Sequence, residues 1–129
     1  MKTEGRSAEL RDVAARPRTW VLVWGLPATV LVVSFFLAPT LRVVLWPLCL
    51  VWMGAACLAN AVRCGRMHCY FTGPFFLLAA GASLLHGLEL VSFGPHGWRW
   101  LGITLAVGAI VLHYLPEWIW GKYVSSTER

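Results

Sequence analysis

The sequence predicts an all-α fold: a four-helix transmembrane bundle with both termini cytoplasmic. Three observations predict it. Charged residues make up only 13% of the 129 residues and hydrophobic ones 58%, whereas a soluble domain carries about 25% charged residues. The mean hydropathy is +0.65, and the apolar residues gather into four long stretches with short links. The Lys and Arg residues are distributed unevenly between alternate links. This length allows one compact unit, and the composition argues against a soluble enzyme, a disordered chain or a collagen-like one. Nucleic-acid binding is not expected despite a pI near 9.4, because basic residues beside membrane spans set orientation.

Residues 1–18 form a polar tail, 19–123 the four-span transmembrane domain and 124–129 a second tail. The stretch 19–39 holds no charge and has the roughly 20 residues a span needs. It is expected to remain uncleaved. The segment before it is long and contains Glu4, Glu9 and Asp12, and no A-x-A site follows, unlike a signal peptide. The second span covers 41–62, with Arg42 at one end, where it can reach the interface. The third covers 70–93 and the fourth 98–123. Links at 38–41, 63–69 and 94–97 are short, so successive helices are antiparallel neighbours. Ala79, Ser83 and Gly87 form a stripe of small residues on the third span that permits close helix approach. Pro47, Pro74 and Pro116 are places where helices kink or start.

Orientation follows from the positive residues. The first tail has Lys2, Arg6, Arg11, Arg16 and Arg18, the second link Arg63 and Arg66, and the last tail Lys122 and Arg129. These nine share one side of a four-span protein, and only Arg42 and Arg99 lie on the other. The imbalance puts both termini and the second link in the cytoplasm, so a multi-pass protein of the cell inner membrane is expected. Trp20, Trp24, Trp118 and Trp120 then mark the inner interface, and Trp98 and Trp100 the outer one.

All four cysteines, Cys49, Cys57, Cys64 and Cys69, fall in the second span, the second link or at its edge. None lies in an exported loop, so free thiols are expected rather than structural disulfides. Cys49, Met53, Cys57, Asn60 and Cys64 recur at spacings of 4, 4, 3 and 4, which places them within roughly 80° of one helix face. Cys and Met also pack as ordinary core residues, the bland reading for Cys49 and Met53. The stripe runs towards Cys64, Met67, His68 and Cys69, a local cluster of ligand types of the kind that binds metals or does thiol chemistry. Soft thiolate and thioether donors select soft ions such as Cu(I), and Hg(II) by the same logic. Arg63 and Arg66 are expected to favour the thiolate form. The alternative is a solvated basic link that serves orientation alone.

Ionisable residues within spans are costly and face the bundle interior or water. His86 and Glu89 lie three apart on the third span, and His113 and Glu117 four apart on the fourth. His86 and Glu89 are candidate ligands near the outer side, with a hydrogen-bonded structural pair as the rival. Glu117 is expected as an interfacial anchor beside Trp118. His86 and His113 differ in depth by roughly 14 Å and are poor partners for a haem.

The segment from Cys69 through Thr72, Gly73, Pro74, Leu77, Leu78 and Gly81 resembles part of the small integral-membrane mercuric-ion transporters of bacterial mercury-resistance operons. Those carry a Cys pair at a helix start, then Gly-Pro or Thr-Pro, then a Leu-rich run ending in small residues. Here no adjacent Cys pair exists, and the matching segment is the third span. What carries over is Cys69, with Cys64 as substitute partner. The resemblance implies inward transfer of Hg(II) to a cytoplasmic reductase or lyase. The expected function is therefore transport or transfer of a soft thiophilic metal ion by Cys/His ligand exchange. Its ligands are Cys64, Cys69, His68, Cys57, Cys49, His86 and Glu89. The metal is cargo, and no permanently bound cofactor is expected. The expected partners are the bilayer, the metal acceptor and, as one option, further copies of the chain. A non-catalytic accessory or assembly subunit is the alternative. A small zinc enzyme using Cys64, His68 and Cys69 is a third reading, although no nucleophile–base pair is evident from the sequence, and an enzyme is not expected.

Overall fold

The computed structural model describes residues 2–124. Met1, residues 125–129 and the side chains of Lys2 and Glu4 lie outside the described residues, which removes Lys2, Arg129 and most of the 124–129 tail from the structural account. The described chain is all-α, with no strand apart from one isolated bridge between Arg66 and Tyr123. Four helices are long and apolar enough to cross a membrane: α2 (Pro17–Phe36), α3 (Pro39–Cys64), α4 (Met67–Gly87) and α5 (Gly97–Trp120). The protein is a multi-pass membrane protein on that ground. The polar tail contains a helix of its own, α1 (Lys2–Arg11).

Local chemistry sets the boundaries. Asp12 caps the short turn Val13–Ala15, its side chain accepting from the Ala14 N–H at 2.9 Å. Pro17 and Pro39 open α2 and α3, where a residue without an N–H sacrifices no helical bond. Pro27 cannot donate to the turn before it, and α2 absorbs this with a wide turn over Val21–Gly25, the Leu26 N–H reaching back to the Val21 carbonyl.

The largest departure from the sequence reading is the second link. The expected loop at 63–69 shrinks to Gly65 and Arg66, because Gly65 takes a left-handed conformation (φ 69°) and ends α3. Arg66 is extended and α4 starts at once, so Cys64, His68 and Cys69 are helical and buried. The solvated-loop alternative is overturned: Arg66 is only 8% exposed. The third span also ends earlier, at Gly87 rather than 93.

The bundle is built around α3 and α4. A Cβ on Gly54 would sit 2.9 Å from the Gly73 carbonyl, and one on Gly73 only 2.7 Å from Leu58 Cγ. Towards the other end, a Cβ on Gly87 would meet Val43 at 2.9 Å. Thus Gly87 and buried Ser83 serve the close approach as expected, but Ala79 lies on the flank and Gly73 makes the tightest approach of α4 to α3. Replacing Gly73 by Val is expected to destabilise the protein by about 1–3 kcal/mol through overpacking. Thermal unfolding in detergent checks this against Gly81→Val, where a Cβ meets nothing within 4 Å.

The core gathers Trp46, Leu50, Met53, Cys57, Cys69 and Phe76. Ser34 fastens α2 to α3: its hydroxyl donates to the Leu31 carbonyl at 2.6 Å and accepts from Trp46 Nε1 at 2.8 Å. α5 packs on α4 and α2 on α3, whereas α2 and α5 have no extensive contact, which leaves a seam between the first and fourth spans. Residues 12, 66 and 123 come together at one end of the bundle.

A buried thiol pair above a charged knot

Met53, Cys57, Asn60 and Cys64 of the predicted stripe are buried, and Cys49 is partly buried against the core. Cys57 and Cys69 share the buried cluster where α3 crosses α4, near enough for each thiol to act on the other. The close approach permitted by Gly54 and Gly73 is what brings these two helix faces together. Both thiols are fully enclosed, at 1% and 0% exposure. Trp24 Nε1 donates to Cys57 Sγ at 3.2 Å, and Thr72 Oγ1 lies 3.5 Å from the same sulfur. Asn60 Nδ2 approaches Cys69 Sγ at 3.6 Å. Trp24, expected as an interface marker, is instead part of the site.

His68 completes the arrangement. Its Nε2 lies 3.4 Å from Cys69 Sγ and its Nδ1 2.6 Å from Glu117 Oε1. The carboxylate fixes the Nδ1–H tautomer and turns the Nε2 lone pair to the thiol. This order of thiol, imidazole and carboxylate suits removal of a proton from Cys69, whether for nucleophilic chemistry or for metal ligation. Cys69 and His68 are neighbours on α4, and the sequence reading did not find them as a nucleophile–base pair because the carboxylate that orients the imidazole comes from α5. His113, one turn from Glu117, packs against His68 at a tilt of 54°, with ring centroids 4.2 Å apart. A cavity of about 360 Å³ opens beside Cys57, His68, Thr72 and His113.

The end of the bundle below this site is closed by charge. Arg66 pairs with Asp12 through Nη1 and with Glu117 through Nε at 2.8 Å. Tyr123 donates to Asp12 Oδ2 at 3.0 Å, and Asn60 Nδ2 to Oδ1 at 2.8 Å. The Asn60 amide oxygen accepts the Val13 N–H at 2.9 Å, so one side chain ties the thiol pair to the knot. Glu117 therefore points inward and is no interfacial anchor. Arg66 is committed to two carboxylates, which offset the charge that the sequence reading expected to favour the thiolates.

Burial pushes the Asp12 carboxyl up, but bonds from Asn60 and Arg66 and the Arg66 charge outweigh it, leaving it below the ordinary 3.8. Burial opposes the Arg66 cation, and its bonds to Glu117 and Asp12 hold its pKa above the ordinary value. Tyr123 is raised by burial and by its bond to the Asp12 carboxylate. A depressed carboxyl stabilises the fold above its unfolded pKa, and that contribution disappears as pH falls through the folded value. The detergent-solubilised protein should accordingly lose melting temperature as pH drops below 3.8, and Asp12→Asn should flatten that dependence.

The remaining candidates stand elsewhere. Cys64 is buried at the end of α3 and donates to the Asn60 carbonyl at 3.1 Å. Cys49 lies two turns from Cys57 along α3. His86, in the last turn of α4, packs between Phe93 and Trp98 at the opposite end of the bundle, with centroids 5.4 and 5.3 Å away. Glu89 follows the helix in a positive-φ turn (60°) and is exposed. The helix ends at Gly87, so the expected shared face for His86 and Glu89 does not exist. Among the described residues no group of three or more His, Cys, Asp or Glu side chains is arranged to hold a metal. That includes the Cys64–His68–Cys69 trio of the zinc-enzyme reading. No protein family, curated protein or solved structure matches this chain.

Proposed function

We propose that the protein binds a soft thiophilic metal ion, Hg(II) or Cu(I), between Cys57 and Cys69 and passes it towards a cytoplasmic acceptor. The observation that carries this reading is the meeting of two enclosed thiols from different helices beside a cavity. Two thiolates suit a soft ion of low coordination number, whereas Zn(II) asks for three or four ligands. Ligation displaces one proton from each thiol: His68 stands ready for that of Cys69, and that of Cys57 is released into the adjoining cavity. Cys64, buried near the charged end, is the next thiol on the route. His86 and Glu89 stand apart, so the site consists of the thiol pair, and those two serve at most as first contacts at the far end.

The excess of positive residues at the Asp12 end supports a cytoplasmic placement of that end in an inner membrane. The resemblance of the segment that follows Cys69 to mercuric-ion transporters favours Hg(II), with a reductase or lyase as acceptor. The test is metal uptake by cells expressing the wild type or Cys57→Ser/Cys69→Ser at equal membrane levels. The wild type should accumulate Hg(II) or Cu(I) and the double variant should not. Equal accumulation would remove the mechanism.

A further inference from the structure

The end of the bundle away from the thiols holds a second feature. Of the eleven Lys and Arg residues, only Arg42 and Arg99 belong to the sparsely charged side, and both line one cavity of about 610 Å³ together with His96. Neither forms an ion pair among the described residues, where Arg66 and His68 provide the cations of all three. Arg42 is nonetheless held in place. Its guanidinium lies over Phe35 and Trp98, 5.0 and 5.5 Å from the ring centroids. Its Nε donates to the Ser34 carbonyl at 3.4 Å. A guanidinium held without a counter-charge at a membrane boundary, with the exposed Arg99 on the same cavity, offers an anion a place between two cations. The N-terminus of α5 begins at Gly97 on the same rim and adds positive potential.

This basic pocket continues into an apolar one. A cleft of about 230 Å³ runs along the seam between α2 and α5 and shares Phe35, Gly102 and Ala106 with the basic cavity. Leu31 and Val32 line one wall and Leu105 and Ala109 the other. From Gly102 to Ala109 the cleft extends roughly 10 Å along α5, and the small side chains at 102, 106 and 109 keep it open. A free anion would fill only the basic end. An amphiphile with an anionic head and an apolar chain fills both.

We infer that the seam between the first and fourth spans binds an anionic phospholipid, its headgroup phosphate between Arg42 and Arg99 and one acyl chain in the apolar cleft. Basic pockets between transmembrane helices recognise anionic headgroups by this chemistry. The inference stands independently of the metal reading, because neither arginine nor Ala106 lines the thiol site, and the apolar cleft shares only Phe76 and Ala109 with the cavity there.

The full-length protein in neutral detergent, titrated with dioleoyl phosphatidylglycerol or dioleoyl phosphatidylcholine and read by native mass spectrometry, tests it. Phosphatidylglycerol should bind about 10- to 30-fold more tightly than phosphatidylcholine. Arg42→Gln/Arg99→Gln should abolish that preference, and Arg42→Lys/Arg99→Lys should keep most of it. Ala106→Phe should weaken binding with both arginines intact. Equal binding of the two lipids, or a preference that survives the Gln variant, overturns the inference. So does unchanged binding by Ala106→Phe, or displacement of the lipid by millimolar inorganic phosphate. Circular dichroism establishes that each variant is folded before it is counted, and the Lys and Phe variants decide the matter if the Gln variant does not fold.

Discussion

Replacing Arg66 by Leu is expected to destabilise the protein by about 3–5 kcal/mol, the cost of breaking a buried ion pair from one side. Arg66 is nearly enclosed and answers two carboxylates at once, and Asp12 has no exposed surface. Removing the cation leaves the two carboxylates facing one another, with only neutral donors to hold them. Thermal unfolding in detergent should show the loss, and Arg66→Lys should recover part of it. A single ammonium brings charge but lacks the planar fork that reaches Asp12 and Glu117 together. The triple variant Asp12→Asn/Arg66→Leu/Glu117→Gln should be more stable than Arg66→Leu alone, because no uncompensated carboxylate remains. If Arg66→Leu melts like the wild type, the knot contributes nothing to the closed end of the bundle.

The fold was legible because lipid leaves few choices. A chain with four charge-poor stretches of this length must satisfy its backbone internally, and helices do so. The misread boundaries have local causes. Arg63 looked like the start of a loop, yet one left-handed Gly65 reverses the chain and α3 keeps its last turn. That difference of a few residues moved Cys64, His68 and Cys69 from a solvated mouth into the packed interior. Phe93 looked like the end of a span, but Glu89 in its positive-φ turn lies outside the helix.

The site was half legible. Helical spacing identified the inward stripe of α3, and residue type identified Cys69 and His68. The partners of these groups were hidden because they are distant in sequence: Arg66 meets Glu117 across 51 positions and Asp12 across 54. Periodicity within one helix carries no signal for such pairs. A faint one existed in the spacing of His113 and Glu117, which place two polar groups on one face of the last span. The neighbouring tryptophans drew that face towards an interfacial reading. Asp12 offered another, as a capping residue between a polar helix and Pro17.

The thiol pair is expected to act as a unit, and this decides how its variants should behave. Two-coordinate binding needs both sulfurs, so Cys57→Ser and Cys69→Ser should each lose nearly all the affinity that the double variant loses. Loss of a supporting group around a metal typically costs about 10–100-fold, and loss of either thiol ligand should exceed that. Asn60→Ala, which removes the amide beside Cys69 and its tie to Asp12, should fall within the smaller range. Cys49→Ser should bind as the wild type does, since that thiol stands two turns away. Cys64→Ser should retain equilibrium binding and slow transfer to a soluble dithiol acceptor, because it removes the next ligand and not the resting site. Equilibrium dialysis of the purified protein against Hg(II) in competing cysteine separates these cases. A wild type that retains about one ion per chain, lost with Cys57 or Cys69 but not with Cys49, is the expected pattern. Equal losses at all four cysteines would point to non-specific mercuration of thiols, and the Cys57–Cys69 contact would then be core packing alone.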